Sequence, residues 1–348
     1  MNGAFRLISS RARIVGLVFG ITAASGVMVS MPSSLGASDL GGDATAVLGL
    51  ESLNSGGDAQ IFSVSCSEPG ECAAAGYYTD AAGRQGFVVT RTGGIWRDAE
   101  PIPALKALNG GNRAEAYSVS CAVPGECAVT GYYTGGAGRQ AFVVTQTGGI
   151  WRDAEPIPGI AFLNGGDKAE SYSVSCAAVG ECAATGVYRD NNAKNQGFVV
   201  SQTNGEWGNA EPIPGLEVLN EGVMGTAAGA SVSCAAPGEC AATGWYTDFS
   251  GQQGFVVSQT GGEWGSAKAT AKALNFGSGR GLSVSCAAPG ECSATGTYED
   301  DDGTQSFVAT QADGLWEAAI PIPNLKAQNI GNYAVPSAVS CAAPGECS

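Results

Sequence analysis

The stretch Ala116-Tyr117-Ser118-Val119-Ser120-Cys121-Ala122-Val123-Pro124-Gly125-Glu126-Cys127 decides the fold. Tyr117, Val119 and Cys121 alternate with Ala116, Ser118 and Ser120, the period-two pattern of a strand with two unlike faces. Val123-Pro124-Gly125-Glu126 is turn chemistry, because proline presets its φ and glycine accepts backbone conformations that a Cβ forbids. Cys127 to Tyr133 then reads as a second strand and Thr134 to Gly138 as a turn. Gln140 to Gln146, carrying Phe142-Val143-Val144, reads as a third strand. After Thr147-Gly148-Gly149, Trp151 opens a fourth, and a link through Pro156-Ile157-Pro158 leads to Leu163-Asn164.

Working outward, the same unit recurs. The cysteines fall in pairs, Cys66/Cys72, Cys121/Cys127, Cys176/Cys182, Cys234/Cys240, Cys286/Cys292 and Cys341/Cys347, whose first members lie 55, 55, 58, 52 and 55 residues apart. A period of that length marks a repeat architecture and suits a blade of four short antiparallel strands. The expected fold is all-β: a β-propeller of four-stranded blades, five complete and a sixth incomplete. That sixth blade takes strand one from Ser337 to Ser348 and strand four from Asp43 to Asn54, which resembles Asp98 to Asn109. It lacks strands two and three, so either the ring is imperfect or the chain is a shortened form of a longer one, and the second is the reading adopted. Trp96, Trp151, Trp207, Trp264 and Trp316 recur at one position per copy and are expected to pack between blades. Trp245 stands where other copies have Tyr77, Tyr132 or Val187 and is expected to fill core.

Residues 1–37 have the parts of a secretory signal: Arg6, Arg11 and Arg13, an apolar run from Ile14 to Val29, and a small-residue exit ending at Ala37. Three glycines interrupt that run, and its 16 residues fall short of the roughly 20 that a bilayer span needs. Residues 38–348 then form a single repeat domain, and no later stretch reads as a membrane span. Formal charge is −15, and −18 without those three arginines. Such a balance argues against nucleic acid, whose phosphates need a basic face. There is no histidine, which removes His-based catalytic arrangements and histidine metal ligands. No cofactor motif is present.

Each cysteine pair spans the turn between strands one and two. Export and an even count favour six local disulfides, each an independent clip across its own hairpin. Zinc is the rival reading, but its fingers commonly use closer cysteines and two such pairs would have to meet.

The unit Ser-Val-Ser-Cys-x-x-Pro-Gly-Glu-Cys, with the later Phe-Val-Val and Gly-Gly-x-Trp, resembles repeats of exported bacterial β-propeller-like proteins over most of residues 43–348. The turns Thr92-Gly93-Gly94-Ile95-Trp96 and Ala312-Asp313-Gly314-Leu315-Trp316 are also similar to the Asp-box hairpins of sialidase-like propellers, with Gly to Trp one residue shorter and Asp only in the second. Sialidase-like chemistry would imply three arginines converging on a carboxylate and a Tyr-Glu nucleophile pair. Arg84 and Arg139, or Arg97 and Arg152, occupy equivalent points of successive copies and are expected to spread around the ring rather than converge.

In a propeller, the turns between strands two and three share a face with the links between blades. That face is the expected ligand face, carrying Asp80, Asp190 and Asp248 from the turns and Asn109 and Asn164 from the links; local turn bonding is the competing role for the asparagines. Within Glu299-Asp300-Asp301-Asp302-Gly303, Asp300 and Asp302 are the candidates for calcium, against a solvated acidic turn. The resulting expectation is a secreted, non-catalytic binding or structural module whose partner is an extracellular glycan, cell-wall polymer or protein. The alternative is a propeller-fold glycoside hydrolase.

Overall fold

The computed structural model describes residues 46–348 apart from 166, 223 and 224, so the expected leader at residues 1–37 lies outside the described residues. In the first blade, β1 (Ala59–Glu68), β2 (Glu71–Asp80) and β3 (Gly83–Thr92) form an antiparallel meander, and β4 (Ile95–Trp96) and β5 (Glu100–Pro101) both pair with β3. These last two are one outer strand broken in the middle. At the break Arg97 N–H donates to Thr90 O at 2.9 Å, and Ala99 N–H turns away to Leu48 O of the incoming link at 2.7 Å. Four more sheets repeat this plan, opening at Ala114–Val123, Ala169–Ala178, Ala228–Ala236 and Arg280–Ala288. A sixth unit is a hairpin of Cys341–Ala343 and Glu346–Cys347. The chain is therefore a β-propeller of five full blades and a partial sixth.

Blades adhere through the faces that a lone sheet would expose. Ala73, Ala75 and Val88 of blade 1 share a core with Ala116, Val119, Phe142 and Trp151 of blade 2. Ala128 and Val143 of blade 2 do the same with Val174 and Phe198 of blade 3. The recurring tryptophans reach across these joints: Trp151 Nε1 donates to Thr90 Oγ1 at 3.3 Å and Trp316 Nε1 to Ser258 Oγ at 2.9 Å.

The first strand of each blade is a sheet edge, with amides that need partners. The Ser-x-Ser of the preceding blade supplies them. Val119 and Cys121 N–H donate to Ser63 and Ser65 Oγ at 3.1 and 3.0 Å, and the pattern continues to Val339 and Cys341 N–H on Ser283 and Ser285. The motif thus encodes an inter-blade stitch as well as a strand. At the other rim, Gly94 N–H donates to Gly70 O at 3.1 Å and Gly93 N–H to Glu71 Oε1 at 2.6 Å. The Pro-Gly-Glu and Gly-Gly-x-Trp turns are two halves of one latch. A Cβ on Gly125 would lie 2.8 Å from Gly149 N, which explains glycine there.

The pairs Cys66–Cys72, Cys121–Cys127, Cys176–Cys182, Cys234–Cys240, Cys286–Cys292 and Cys341–Cys347 are all disulfide-bonded between residues directly opposite each other, with Cα atoms 4.0 Å apart. The connectivity is the expected one, each bridge a clip across its own hairpin, and most of the bridges do more than close a hairpin. In every full blade the second cysteine is buried: Cys72, Cys127, Cys182, Cys240 and Cys292. Cys127 lies in the core that joins blades 1 and 2, and Cys182 in the core that joins blades 2 and 3. Cys240 packs with Ala183 and Val199 of the preceding blade, and Cys292 with Ala241 and Val256. The bridges at Cys127, Cys182, Cys240 and Cys292 are thus also part of the joints between blades. Only Cys347, in the partial sixth unit, is exposed among the second members.

The two ends of the stack differ from its middle. Val119, Val174, Val232 and Val284 are each 5% exposed, whereas the equivalent Val64 is 60% exposed, so among the described residues no preceding blade covers that valine of blade 1. Val47, Leu50 and Leu53 of the N-terminal link pack on blade 1. They stand where Ile102, Leu105 and Leu108 stand against blade 2.

Candidate functional site

Each full blade carries two register shifts between its first two strands, and the one farther from the cysteine turn aims side chains. In every full blade the pairing of strands one and two slips by a residue, between Ile61/Ser63, Ala116/Ser118, Ser171/Ser173, Gly229/Ser231 and Gly281/Ser283. Such a bulge turns its extra residue out of the alternation. Tyr117 therefore leaves the face of Val119, contrary to the plain period-two reading. The backbones approach closely at the bulge: a Cβ on Gly76 would stand 1.9 Å from Gln60 O, and one on Gly131 2.0 Å from Glu115 O.

The bulged residues are Phe62, Tyr117, Tyr172, Ala230 and Leu282, aromatic in blades 1 to 3 only. Their rings form a continuous ladder, with centroids 5.3 Å apart from Phe62 to Tyr117 and 6.0 Å from Tyr117 to Tyr172. Tyr77 and Tyr132 of the second strands back it at 5.6 and 5.5 Å. Phe62 is 39% exposed, and Tyr117 and Tyr172 are half-buried.

Charged groups frame the ladder. Arg84 donates to Glu115 Oε1 at 2.6 Å and to Asp58 Oδ2 at 3.0 Å, and Arg113 Nε donates to the same Glu115 oxygen at 3.0 Å. Arg139 pairs with Glu170, whose other oxygen accepts from Tyr172 Oη at 2.9 Å. The Arg84 guanidinium lies 4.2 Å from the Tyr77 ring centre, and that of Arg139 4.9 Å from Tyr132, within cation–π range. Two arginines thus do converge on one carboxylate. The repeat-equivalent Arg84 and Arg139 do stay apart, on Glu115 and Glu170; the arginine that joins Arg84 is Arg113, from a link, laid beside it by a parallel bridge. Trp245 departs from expectation: it is half-exposed rather than core, with Arg280 5.4 Å from its ring.

Burial by itself would raise the Glu115 carboxyl, but Arg84 and Arg113 outweigh it and hold the group below the usual carboxylate range. Burial, then the Glu115 charge, pushes the Tyr132 hydroxyl up to about 12. Burial first and neighbouring carboxylates second raise Tyr117 and Tyr172 as well. The carboxyls that burial raises, Glu100 and Glu211, sit on outer-edge strands away from the ladder.

The residues expected on the ligand face lie at the same end of the blades but do other things. Asn109 is 7% exposed. Its amide donates to Arg84 O at 3.0 Å, and its oxygen accepts from Arg113 N–H at 2.9 Å and Thr134 N–H at 3.3 Å. It is a strut that holds Arg113 beside Arg84, not a displayed polar group. Asn164, 8% exposed, is likewise turned inward beside Arg139. Asp80 accepts from Ala82 N–H at 2.8 Å and Lys106 at 2.9 Å, while Asp248 accepts from Ser250 N–H at 2.7 Å and forms an ion pair with Lys272 at 2.9 Å. Asp190 accepts from the Asn192 and Lys194 amides at 2.8 and 2.9 Å. Each aspartate closes its own turn. Lys326 sits between the calcium candidates, 2.9 Å from Asp300 and 2.6 Å from Asp302, so an ammonium stands where the ion was expected. Among the described residues no three His, Cys, Asp or Glu side chains group to hold a metal, and no helix is long and apolar enough to cross a membrane.

No protein-family model matches the sequence, and no curated protein does. Solved structures similar to the chain include the Hadza microbial sialidase Hz136, with 11% identity, TM-score 0.45, and 82% of this chain covered against 61% of that one. Another is the GH74 xyloglucanase from Xanthomonas campestris, with 14% identity, TM-score 0.44, and 84% of this chain covered against 43% of that one. A thermostable family-43 glycoside hydrolase matches with 13% identity, TM-score 0.40, and coverages of 75% and 93%. The chain spans about three fifths of the sialidase and less than half of the xyloglucanase. The assignment to the propeller class rests on the strand pairing described above.

Proposed function

We propose that this protein is an exported, non-catalytic binding module whose ligand docks on the aromatic ladder of blades 1 to 3. The carrying observation is the break in symmetry. What a blade needs for folding recurs in every full copy: the Ser-x-Ser stitch, the turn latch, the disulfide and the outer tryptophan. The ladder Phe62, Tyr117 and Tyr172, with Arg84, Arg113, Arg139, Glu115 and Glu170, does not recur in blades 4 and 5, so the repeat does not require it. Six disulfides and the basic-then-apolar N-terminus support an extracellular setting. The ladder's buried carboxylates are tied to arginines, and Glu115 is driven toward its charged form, the opposite of what a general acid requires.

One observation favours a second reading, a propeller glycoside hydrolase: the Tyr172–Glu170 hydrogen bond beside Arg139 has the composition of a Tyr-Glu nucleophile pair. A glycan array run with a broad glycosidase panel separates the two. Binding without turnover is expected. Hydrolysis that disappears in Glu170→Gln would overturn the non-catalytic reading.

A further inference from the structure

Resting on the binding-module reading, we infer that the ladder's ligand is an uncharged glycan chain, laid across blades 1 to 3 with successive sugars on Phe62, Tyr117 and Tyr172. Three features select this chemistry. The first is the spacing of one ring per blade, 5.3 and then 6.0 Å between centroids with planes inclined at 70° and 43°, which presents apolar surface at intervals from blade to blade rather than in one pocket. An extended pyranose chain has the matching form, since each sugar offers a patch of C–H groups to an aromatic ring. The second is charge. The ion pairs that frame the ladder join three arginines, Arg84, Arg113 and Arg139, to three carboxylates, Asp58, Glu115 and Glu170. No excess of either sign is left among these six to attract an ionic polymer. The whole chain, with 17 basic and 32 acidic residues, repels a polyanion at longer range.

The third feature is the supply of polar partners at the edge of the rings. The Arg113 side chain is 46% exposed and among the described residues uses only Nε, on Glu115, and the Asp58 side chain is 53% exposed. A fork of N–H donors and a carboxylate acceptor, flanking an apolar ring, suits vicinal hydroxyls, which both donate and accept. The buried Glu115 and Glu170 hold the arginines in place, so little ordering is left for the ligand to impose.

The test uses the purified full chain, with isothermal titration against soluble cello-, chito- and manno-oligosaccharides as neutral probes and polygalacturonate and sialylated oligosaccharides as anionic ones. At least one neutral series is expected to bind. Its affinity should change less than about twofold between about 50 mM and about 500 mM NaCl, because no net charge is neutralised. Phe62→Ala, at an already exposed ring, should weaken that binding about tenfold. Arg113→Gln, on an exposed side chain, should weaken it as well, and both variants are checked for unchanged urea midpoints. Preference for an anionic probe with steep salt dependence would overturn the uncharged ligand while leaving the ladder as the site. Neutral binding untouched by both substitutions would overturn the ladder itself. Failure of the wild type to bind any glycan would overturn the glycan inference, and if protein ligands also fail, the binding-module reading falls with it.

Discussion

Val119→Ala and Val64→Ala are the same change at the same point of neighbouring repeats, and the structure predicts unlike results. Val119 is 5% exposed and packs in the joint with Ala73 and Ala75 of blade 1. Truncation removes two methyl groups, about 1.6 kcal/mol at about 0.8 kcal/mol per buried carbon, and the cavity left behind brings the cost to about 2 kcal/mol. Val64 is 60% exposed, so the same truncation there should cost about 0.6 kcal/mol. Val174, Val232 and Val284 should follow Val119. Urea unfolding of the purified variants, read as shifts in midpoint at constant slope, measures the difference. If Val64→Ala proves as costly as Val119→Ala, Val64 is covered in solution, and the account of the stack's open end is wrong.

Reduction should destabilise the protein, since each seven-residue loop closed by a disulfide contributes about 2.4 kcal/mol by chain-entropy scaling, and mass analysis before reduction should show all twelve cysteines oxidised. Glu115 is held low in the folded state, so its contribution is present above the usual carboxylate pKa and is lost as pH falls through the folded value. Thermal melts should therefore drop on acidification below about pH 4, and less steeply in Glu115→Gln, whereas an unchanged slope would contradict the pairing. In a spectrophotometric titration Tyr132, pushed up to about 12, should stay unionised at about pH 11, where an ordinary phenol has largely titrated, and Tyr132→Phe should leave the early part of the curve unaltered.

Much of the fold was legible because its signals are local. Glycine and proline mark turns within a few residues, Phe142-Val143-Val144 marks a buried strand, and cysteines six apart meet across one hairpin. That Cys182, Cys240 and Cys292 also help to fill the joints was not legible, since it depends on the neighbouring blade. The outer strand was only half legible: its break at Arg97 to Ala99 exists because Ala99 N–H bonds to the incoming link, which strand pattern alone does not announce. The site was less legible still. Asp80, Asp248, Asp300 and Asp302 looked like ligands because acids in turns are conspicuous, yet neighbouring amides and lysines already satisfy them. The recurrence of Phe62, Tyr117 and Tyr172 four residues before the first cysteine was a usable signal, as was its lapse at Ala230 and Leu282.

What the sequence determined by itself was the repeat unit, its turns, its disulfides and the stacking of its blades, because each depends on residues close in the chain or on copies of one pattern. What only the tertiary structure decided was where the bulged side chains point and which charges meet there. One extra residue reverses the facing of a strand, and Arg84, Arg113 and Glu115 meet only when blade 2 docks against blade 1 and the Asn109 strut fixes the link between them.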